Sequence, residues 1–138
     1  YKKFFELCNK RLKKGGMMLH HTIGGNHDSV KADPWMDKYI FPGGVIPGLR
    51  QIANAIEGKF IIEDLQNIGP DYSKTLIAWH KNFVKAYPKL KSKYDERFYR
   101  MWEYYLLMCA AAFYARDLQL WQIVMRRPTG SDTYEGVR

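Results

Sequence analysis

Two adjacent histidines, His20 and His21, are the residues of this 138-residue chain most suited to doing chemistry. They sit in Met17-Met18-Leu19-His20-His21-Thr22-Ile23-Gly24-Gly25, a short apolar run that breaks on two glycines. An imidazole can donate or accept a proton near neutral pH, bind an anion or bind a metal. Side chains alternate along an extended strand, so one of the two rings faces a given cavity and the other faces away. A second polar group follows a second apolar run. Tyr72 comes just after Gly69-Pro70-Asp71, downstream of Phe60-Ile61-Ile62-Glu63-Asp64-Leu65. Histidine and tyrosine both offer hydrogen-bond donors while tolerating an apolar wall on the other side. The expectation is one site served by a strand histidine and Tyr72. Spacing alone does not choose between the histidines, and core packing is the ordinary reading of either ring and of a tyrosine at a helix start. Glu63-Asp64 could form an ion pair or a helix-cap contact, and no chemistry is assigned to it.

These groups need elements to hold them. Residues 1–13 carry Phe4, Leu7, Cys8 and Leu12 at helical spacing, with Lys13-Lys14 at the C-terminal end and Gly15-Gly16 as the stop. The histidine-bearing strand follows directly. A polar loop runs to Asp33-Pro34, an N-cap followed by proline at the first helical position. That short helix ends near Phe41, before Pro42-Gly43-Gly44. Pro47 opens the next, with Leu49, Ile52, Ala53 and Ile56 on one face and Gly58 as its end. A strand is expected from Phe60 to about Asn67. A helix capped by Asp71 or Ser73 then presents Leu76, Ile77, Trp79, His80, Phe83 and Val84, and Pro88 interrupts it or starts the next piece. The longest pattern runs from Asp95 to about Arg116, with a stripe of Phe98, Met101, Trp102, Tyr105, Cys109, Ala112 and Phe113 that reads as core. Residues 118–127 form a mostly buried strand ended by Pro128-Thr129-Gly130. The order is α-β-α-α-β-α-α-β, an α/β sheet covered by helices, with a C-terminal tail over 129–138 expected to be loosely ordered.

Composition supports a folded globule, with 46% apolar and 15% aromatic residues. The net charge of +8 favours anionic partners. No RNA-binding motif is present, so nucleic acid is not expected as a partner. Lys81, Lys85, Lys89, Lys91, Lys93, Arg97 and Arg100 read as solvated helix faces, with attraction to anionic lipid headgroups as the alternative. Cys8 and Cys109 lack partners at ligand spacing and read as buried free thiols of a reducing compartment, so no metal site is expected. No run is long and apolar enough to span a bilayer, so any membrane contact should be peripheral. The chain opens on Tyr1 already in a helical pattern and is expected to be a piece of a longer protein.

At His21-Thr22-Ile23-Gly24 and at residues 33–44, from Asp33-Pro34-Trp35-Met36-Asp37-Lys38 through Tyr39-Ile40-Phe41-Pro42-Gly43-Gly44, the sequence resembles the cyclopropane-fatty-acyl-phospholipid synthases, relatives of the mycolic acid cyclopropane synthases. Further matching stretches are Arg50-Gln51-Ile52-Ala53, Glu63-Asp64, Asn67-Ile68-Gly69-Pro70-Asp71-Tyr72, Thr75-Leu76-Ile77-Ala78-Trp79, Glu96-Arg97-Phe98-Tyr99-Arg100-Met101-Trp102, and Ala115-Arg116-Asp117-Leu118-Gln119-Leu120-Trp121-Gln122. The likeness covers nearly all of residues 1–128. It implies the C-terminal portion of one class I S-adenosylmethionine-dependent methyltransferase domain, Rossmann-like, with a helical insertion before the last strand. The three strands would be the fifth, sixth and seventh of the family sheet, the last antiparallel between the other two. The first four strands and the glycine-rich cofactor loop would lie upstream, so no cofactor-binding residue is assigned here.

The family reaction joins the alkene of an unsaturated phospholipid acyl chain to the electrophilic methyl of S-adenosylmethionine, and loss of a proton from the cationic product closes a cyclopropane ring. A bound bicarbonate is taken as the base. The resemblance assigns its contacts to His21, the backbone at Ile23 and the Tyr72 hydroxyl, which leaves His20 structural. Two further anion ligands of the family, a cysteine and a glutamate, belong upstream and do not map onto Cys8 or Glu63. A small anion beside a developing cation stabilises it and accepts its proton, and several donors must hold it in an apolar site. The implied location is cytoplasmic, at the inner face of the membrane. The exposed sheet edge left by the upstream strands would permit a homo-oligomer. Residues 1–138 alone are not expected to turn over substrate. Two alternatives stand: a methyltransferase of the same fold that adds a plain methyl group to a lipid or small molecule, and a non-catalytic lipid-binding module suggested by the basic, aromatic-rich composition.

Overall fold

In a computed structural model, which describes residues 1–128 and 133–136, the elements fall in the expected order. They are α1 (Lys2–Arg11), β1 (Met17–Gly25), α2 (Pro34–Tyr39), α3 (Leu49–Ile56), β2 (Ile61–Asn67), α4 (Gly69–Leu90), α5 (Glu96–Tyr114) and β3 (Leu118–Arg126). Residues 129–132 and 137–138, on which much of the expectation of a loose tail rests, lie outside the described residues. The chain divides into two compact units: a sheet unit of residues 1–67 and 120–138, and a helical unit of residues 68–119.

In the sheet unit the strand order is β1-β3-β2. β3 runs antiparallel to β2, from the pair Ile61 and Arg126 to the pair Asn67 and Trp121. It is also antiparallel to β1. The amide of Arg127 donates to the Gly16 carbonyl at 3.1 Å, and His21 meets Gln122, so residue numbers fall along β3 as they rise along β1. The chain-terminal strand is thus inserted between the other two, as the family resemblance implies. A register shift at Glu63 breaks the β2–β3 ladder, and there the Glu63 carboxylate accepts from Arg126 Nε at 2.9 Å. Arg126 is buried at 6% exposure, so this bulge accommodates a buried cation that the strand pattern did not suggest.

The core of this unit gathers Phe5, Ile52, Ala55, Ile56, Phe60, Trp121, Ile123 and Met125, with Cys8, Leu12, Met18 and Leu65 against it. It corrects two assignments of helix faces. In α1 Phe5 is buried, with Cys8 and, just past the helix, Leu12 partly buried against the core, while Phe4 and Leu7 are exposed. In α3 it is Ile52, Ala55 and Ile56, while Leu49 and Ala53 are exposed. Adjacent apolar residues give a helix two candidate stripes, and the packing partner selects one. Full burial of a side chain such as Phe5 contributes about 1.5–3 kcal/mol. Helix boundaries also shift. α1 ends at Arg11, so Lys13-Lys14 fall beyond it, and α3 begins at Leu49 with Gly48 as N-cap, so Pro47 is outside. Asp33 caps α2 as expected, accepting from the amides of Trp35 and Met36 at 3.0 and 2.9 Å.

The helical unit is α4 and α5 with their connections. α4 buries Gly69, Ser73, Leu76 and Phe83, and α5 buries Leu106, Cys109, Ala110 and Phe113. Ser73 is not the helix cap. Its buried hydroxyl donates to the Ala110 carbonyl at 2.9 Å and ties the two helices together. Asp71 lies inside the first turn of a helix whose N-cap is Ile68, where its charge favours the positive helix end. Pro88 does not interrupt α4 but sits in its last turn. Asp95 caps α5, accepting from the Phe98 amide at 2.8 Å. Among the described residues no helix is long and apolar enough to cross a membrane.

Candidate active site

The two histidines of β1 part as strand geometry requires. His20 turns toward α1, its ring 5.0 Å from Phe5 and 5.7 Å from Phe4 between centroids. Burial lowers its pKa, and neighbouring His21 lowers it further, so His20 is a neutral packing residue. His21 points to the other face and is exposed. There its Nδ1 lies 3.3 Å from Nε2 of Gln122 on β3. Ile23 is two residues on and shares the face of His21. The Thr22 hydroxyl, between them, donates to the Ile23 carbonyl at 3.0 Å.

The end of β1 is held by unusually close packing. The Trp121 ring lies against the backbone at Gly24, so near that a β-carbon there would fall 2.0 Å from Cζ3. Only glycine admits the indole at that distance. Gly25 donates its amide to the Pro47 carbonyl at 2.9 Å and bridges to Gly48 in parallel fashion. The loop that follows is clasped to the start of α3. The Gln51 side-chain carbonyl accepts from the amides of Gly48 and Ser29 at 2.9 and 3.3 Å, and its amide donates back to the Ser29 carbonyl at 3.0 Å. Arg50 lies 3.6 Å from the Asp28 carboxylate. Beyond the strand end opens a cavity of about 430 Å³ lined by Gly25, Asn26, His27, Asp28, Leu49, Arg50 and Trp121. The sheet unit therefore places His21 and Ile23 on one strand face and a polar cavity at the C-terminal end of the same strand.

Tyr72 belongs to the helical unit, in the first turn of α4, where its amide donates to the Ile68 carbonyl at 3.2 Å. Its ring meets Phe113 and Trp79 edge-on at 5.0 and 5.7 Å. Burial raises its phenol pKa, with a further contribution from Cys109. Burial also pushes Tyr105 up to about 12 and the Cys109 thiol up to about 11. All three groups therefore keep their protons at neutral pH. Tyr72 is a donor, and Cys109 is an inert core thiol without nucleophilic character.

Sequence reasoning had no role for Gln122 or Trp121 beyond the strand. Both lie beside β1 because β3 is inserted next to it, and period-2 alternation cannot reveal which residues of another strand stand opposite. The Gly24-Gly25 pair was the available signal: a glycine inside a strand marks close approach of another group.

The described geometry can be set beside known proteins. Residues 1–123 match the family described as mycolic acid cyclopropane synthetase. The chain is 48% identical over 127 residues to the cyclopropane-fatty-acyl-phospholipid synthase of Escherichia coli K12, covering 92% of this chain and 33% of that protein. It is 31% identical over 133 residues to a tuberculostearic acid methyltransferase of Mycobacterium tuberculosis, covering 91% of this chain and 31% of that protein. Among solved structures it superimposes on a mycolic acid cyclopropane synthase complexed with SAH and CTAB with a TM-score of 0.81 at 26% identity, covering 92% of this chain and 50% of that one. Phosphoethanolamine N-methyltransferase 2 of Haemonchus contortus, with S-adenosyl-L-methionine bound, shares the fold at a TM-score of 0.70 and 17% identity. The chain spans about a third of the length of the curated synthase and about half that of the solved one. The strand order, the antiparallel last strand and the match over residues 1–123 agree: this chain carries part of a class I methyltransferase fold and belongs to the mycolic acid cyclopropane synthetase family.

Proposed function

We propose that the full-length protein bearing this chain transfers a methylene group from S-adenosylmethionine to the double bond of an unsaturated phospholipid acyl chain, forming a cyclopropane fatty acid. The observation that carries this reading is the 48% identity, spread over 127 residues, to a synthase of that activity. When bound, S-adenosylmethionine supplies the electrophilic methyl and bicarbonate supplies a basic oxygen. The residues proposed to hold that anion are His21, the backbone of Ile23 and the hydroxyl of Tyr72. Their chemistry suits it. The amide nitrogen of Gln122 faces His21 Nδ1, which leaves Nε2–H as the outward donor. The Tyr72 phenol is kept protonated by burial and can only strengthen an anion's hold. Donors of this kind, fixed before the reaction, are worth more in an apolar site than in water.

The supporting residues do the rest by position. Trp121 and the Gln51 clasp fix where β1 ends and the following loop begins. The net charge of +8 supports a peripheral contact with anionic lipid at the cytoplasmic face of the membrane. The test is lipid analysis of cells expressing the full-length protein. Acyl chains carrying a ring methylene, with its upfield proton resonance, are expected. Recovery of methyl-branched chains alone would replace this reading with the plain methyltransferase, as in the Mycobacterium tuberculosis relative named for tuberculostearic acid methyl transfer.

A further inference from the structure

We propose that Gln122 is the positioning residue that sets the tautomer of His21 and so the direction in which it donates. This rests on the proposed role of His21 as an anion donor. The argument begins with the contact of 3.3 Å between Gln122 Nε2 and His21 Nδ1. A primary amide nitrogen only donates, so with this end of the Gln122 amide turned to the ring the matching tautomer has Nδ1 as acceptor and the proton on Nε2. Nε2 is the ring atom farther from the backbone, and the ring is exposed on the face it shares with Ile23. A neutral His21 with this tautomer presents one N–H donor outward. The opposite tautomer would present a lone pair, which repels an oxyanion.

The fold makes this contact reproducible. Gln122 sits next to Trp121, whose indole is pinned at 6% exposure against Gly24, three residues after His21 on the partner strand. Its other neighbour, Ile123, is fully buried in the sheet-unit core. The backbone of Gln122 is further fixed by pairing with Gln66 of β2. The side chain thus projects from one of the best-held stretches of the unit. Fixing a ring by a hydrogen bond to its non-functional nitrogen is how proteins generally set histidine orientation.

The experiment uses the full-length protein with ¹⁵N-labelled histidine, at a pH where imidazole is neutral. Long-range ¹H–¹⁵N spectra report which nitrogen of His21 carries the proton, with His21→Ala used to assign its signals. The wild type should show the Nε2–H form. Gln122→Leu, similar in size but without a donor, should give a mixture of tautomers and weaken bicarbonate dependence by roughly 2- to 10-fold, the worth of one hydrogen bond. Gln122→Glu, whose carboxylate only accepts, should move the proton to Nδ1. A merely structural role for Gln122 would not reverse the tautomer in this way. Unchanged His21 signals in both variants would overturn the proposal. A tautomer reversal in Gln122→Glu with activity unaffected, in that variant and in His21→Ala, would uphold the positioning of the ring and overturn the role of His21 in the reaction.

Discussion

Replacing Gly24 with alanine tests how the end of β1 is built. The added β-carbon would stand 2.0 Å from Cζ3, 2.4 Å from Cη2 and 2.5 Å from Cε3 of Trp121. Carbon atoms rest at about 3.5–4 Å, so the indole must retreat by roughly 1.5 Å. It has little room to do so, being 6% exposed and packed in the cluster with Phe5, Ile123 and Met125. Overpacking of this kind costs about 1–3 kcal/mol, and expelling a buried tryptophan outright costs about 3–5 kcal/mol. Gly24→Ala should therefore destabilise by about 2–4 kcal/mol, read from the urea midpoint of the full-length protein. The decisive comparison is a double-mutant cycle. In a Trp121→Ala background the clash is gone, and the same substitution should cost less than about 0.5 kcal/mol. If the two effects simply add, or if Gly24→Ala alone is neutral, the close packing of Trp121 on β1 is not what requires glycine.

Tyr72→Phe keeps the ring contacts with Phe113 and Trp79 and removes the donor. Turnover should fall by roughly 100-fold, typical of losing one fixed donor at a charged site, with the unfolding midpoint nearly unchanged. Glu63→Leu removes the 2.9 Å carboxylate contact made by the buried Arg126. A loss of about 3–5 kcal/mol is expected in denaturant unfolding, largely recovered when Arg126→Met is added. Cys109 gives a pH dependence of known sign. Its thiol is raised from 9.0 to about 11 in the folded chain, so the unfolded chain sheds this proton first as pH rises. The contribution is fully present below pH 9 and is lost between 9 and about 11. Thermal unfolding should therefore decline across that window, and Cys109→Ala should flatten the decline. Co-sedimentation with anionic liposomes should be salt-sensitive if the +8 charge drives membrane contact, and salt-independent or absent binding would contradict that reading.

Much of the architecture was legible in the residues. Gly15-Gly16 and Gly58 mark turns that the structure makes with positive φ at Gly15 and Gly58, and Asp33-Pro34 marks a helix start whose cap is realised in detail. These are local signals, since φ preference and capping depend on a few neighbouring atoms. The face of each helix was less legible. Phe4 and Phe5 are equally apolar, yet Phe5 is buried and Phe4 is half exposed, because burial depends on what packs from elsewhere. Ser73 reads as a cap from its sequence position and proves to be a bridge to Ala110, thirty-seven residues away.

The sequence by itself determined the order of elements, the family, and which residue types stand ready for chemistry. Alternation along β1 also required that His20 and His21 face opposite ways. Only the tertiary structure decided which face holds which ring, sending His20 to Phe5 and leaving His21 for Gln122. The reason is physical: strand register is a long-range property, set by the burial of Trp121, Ile123 and Met125, and no local pattern around His21 encodes a partner a hundred and one residues away.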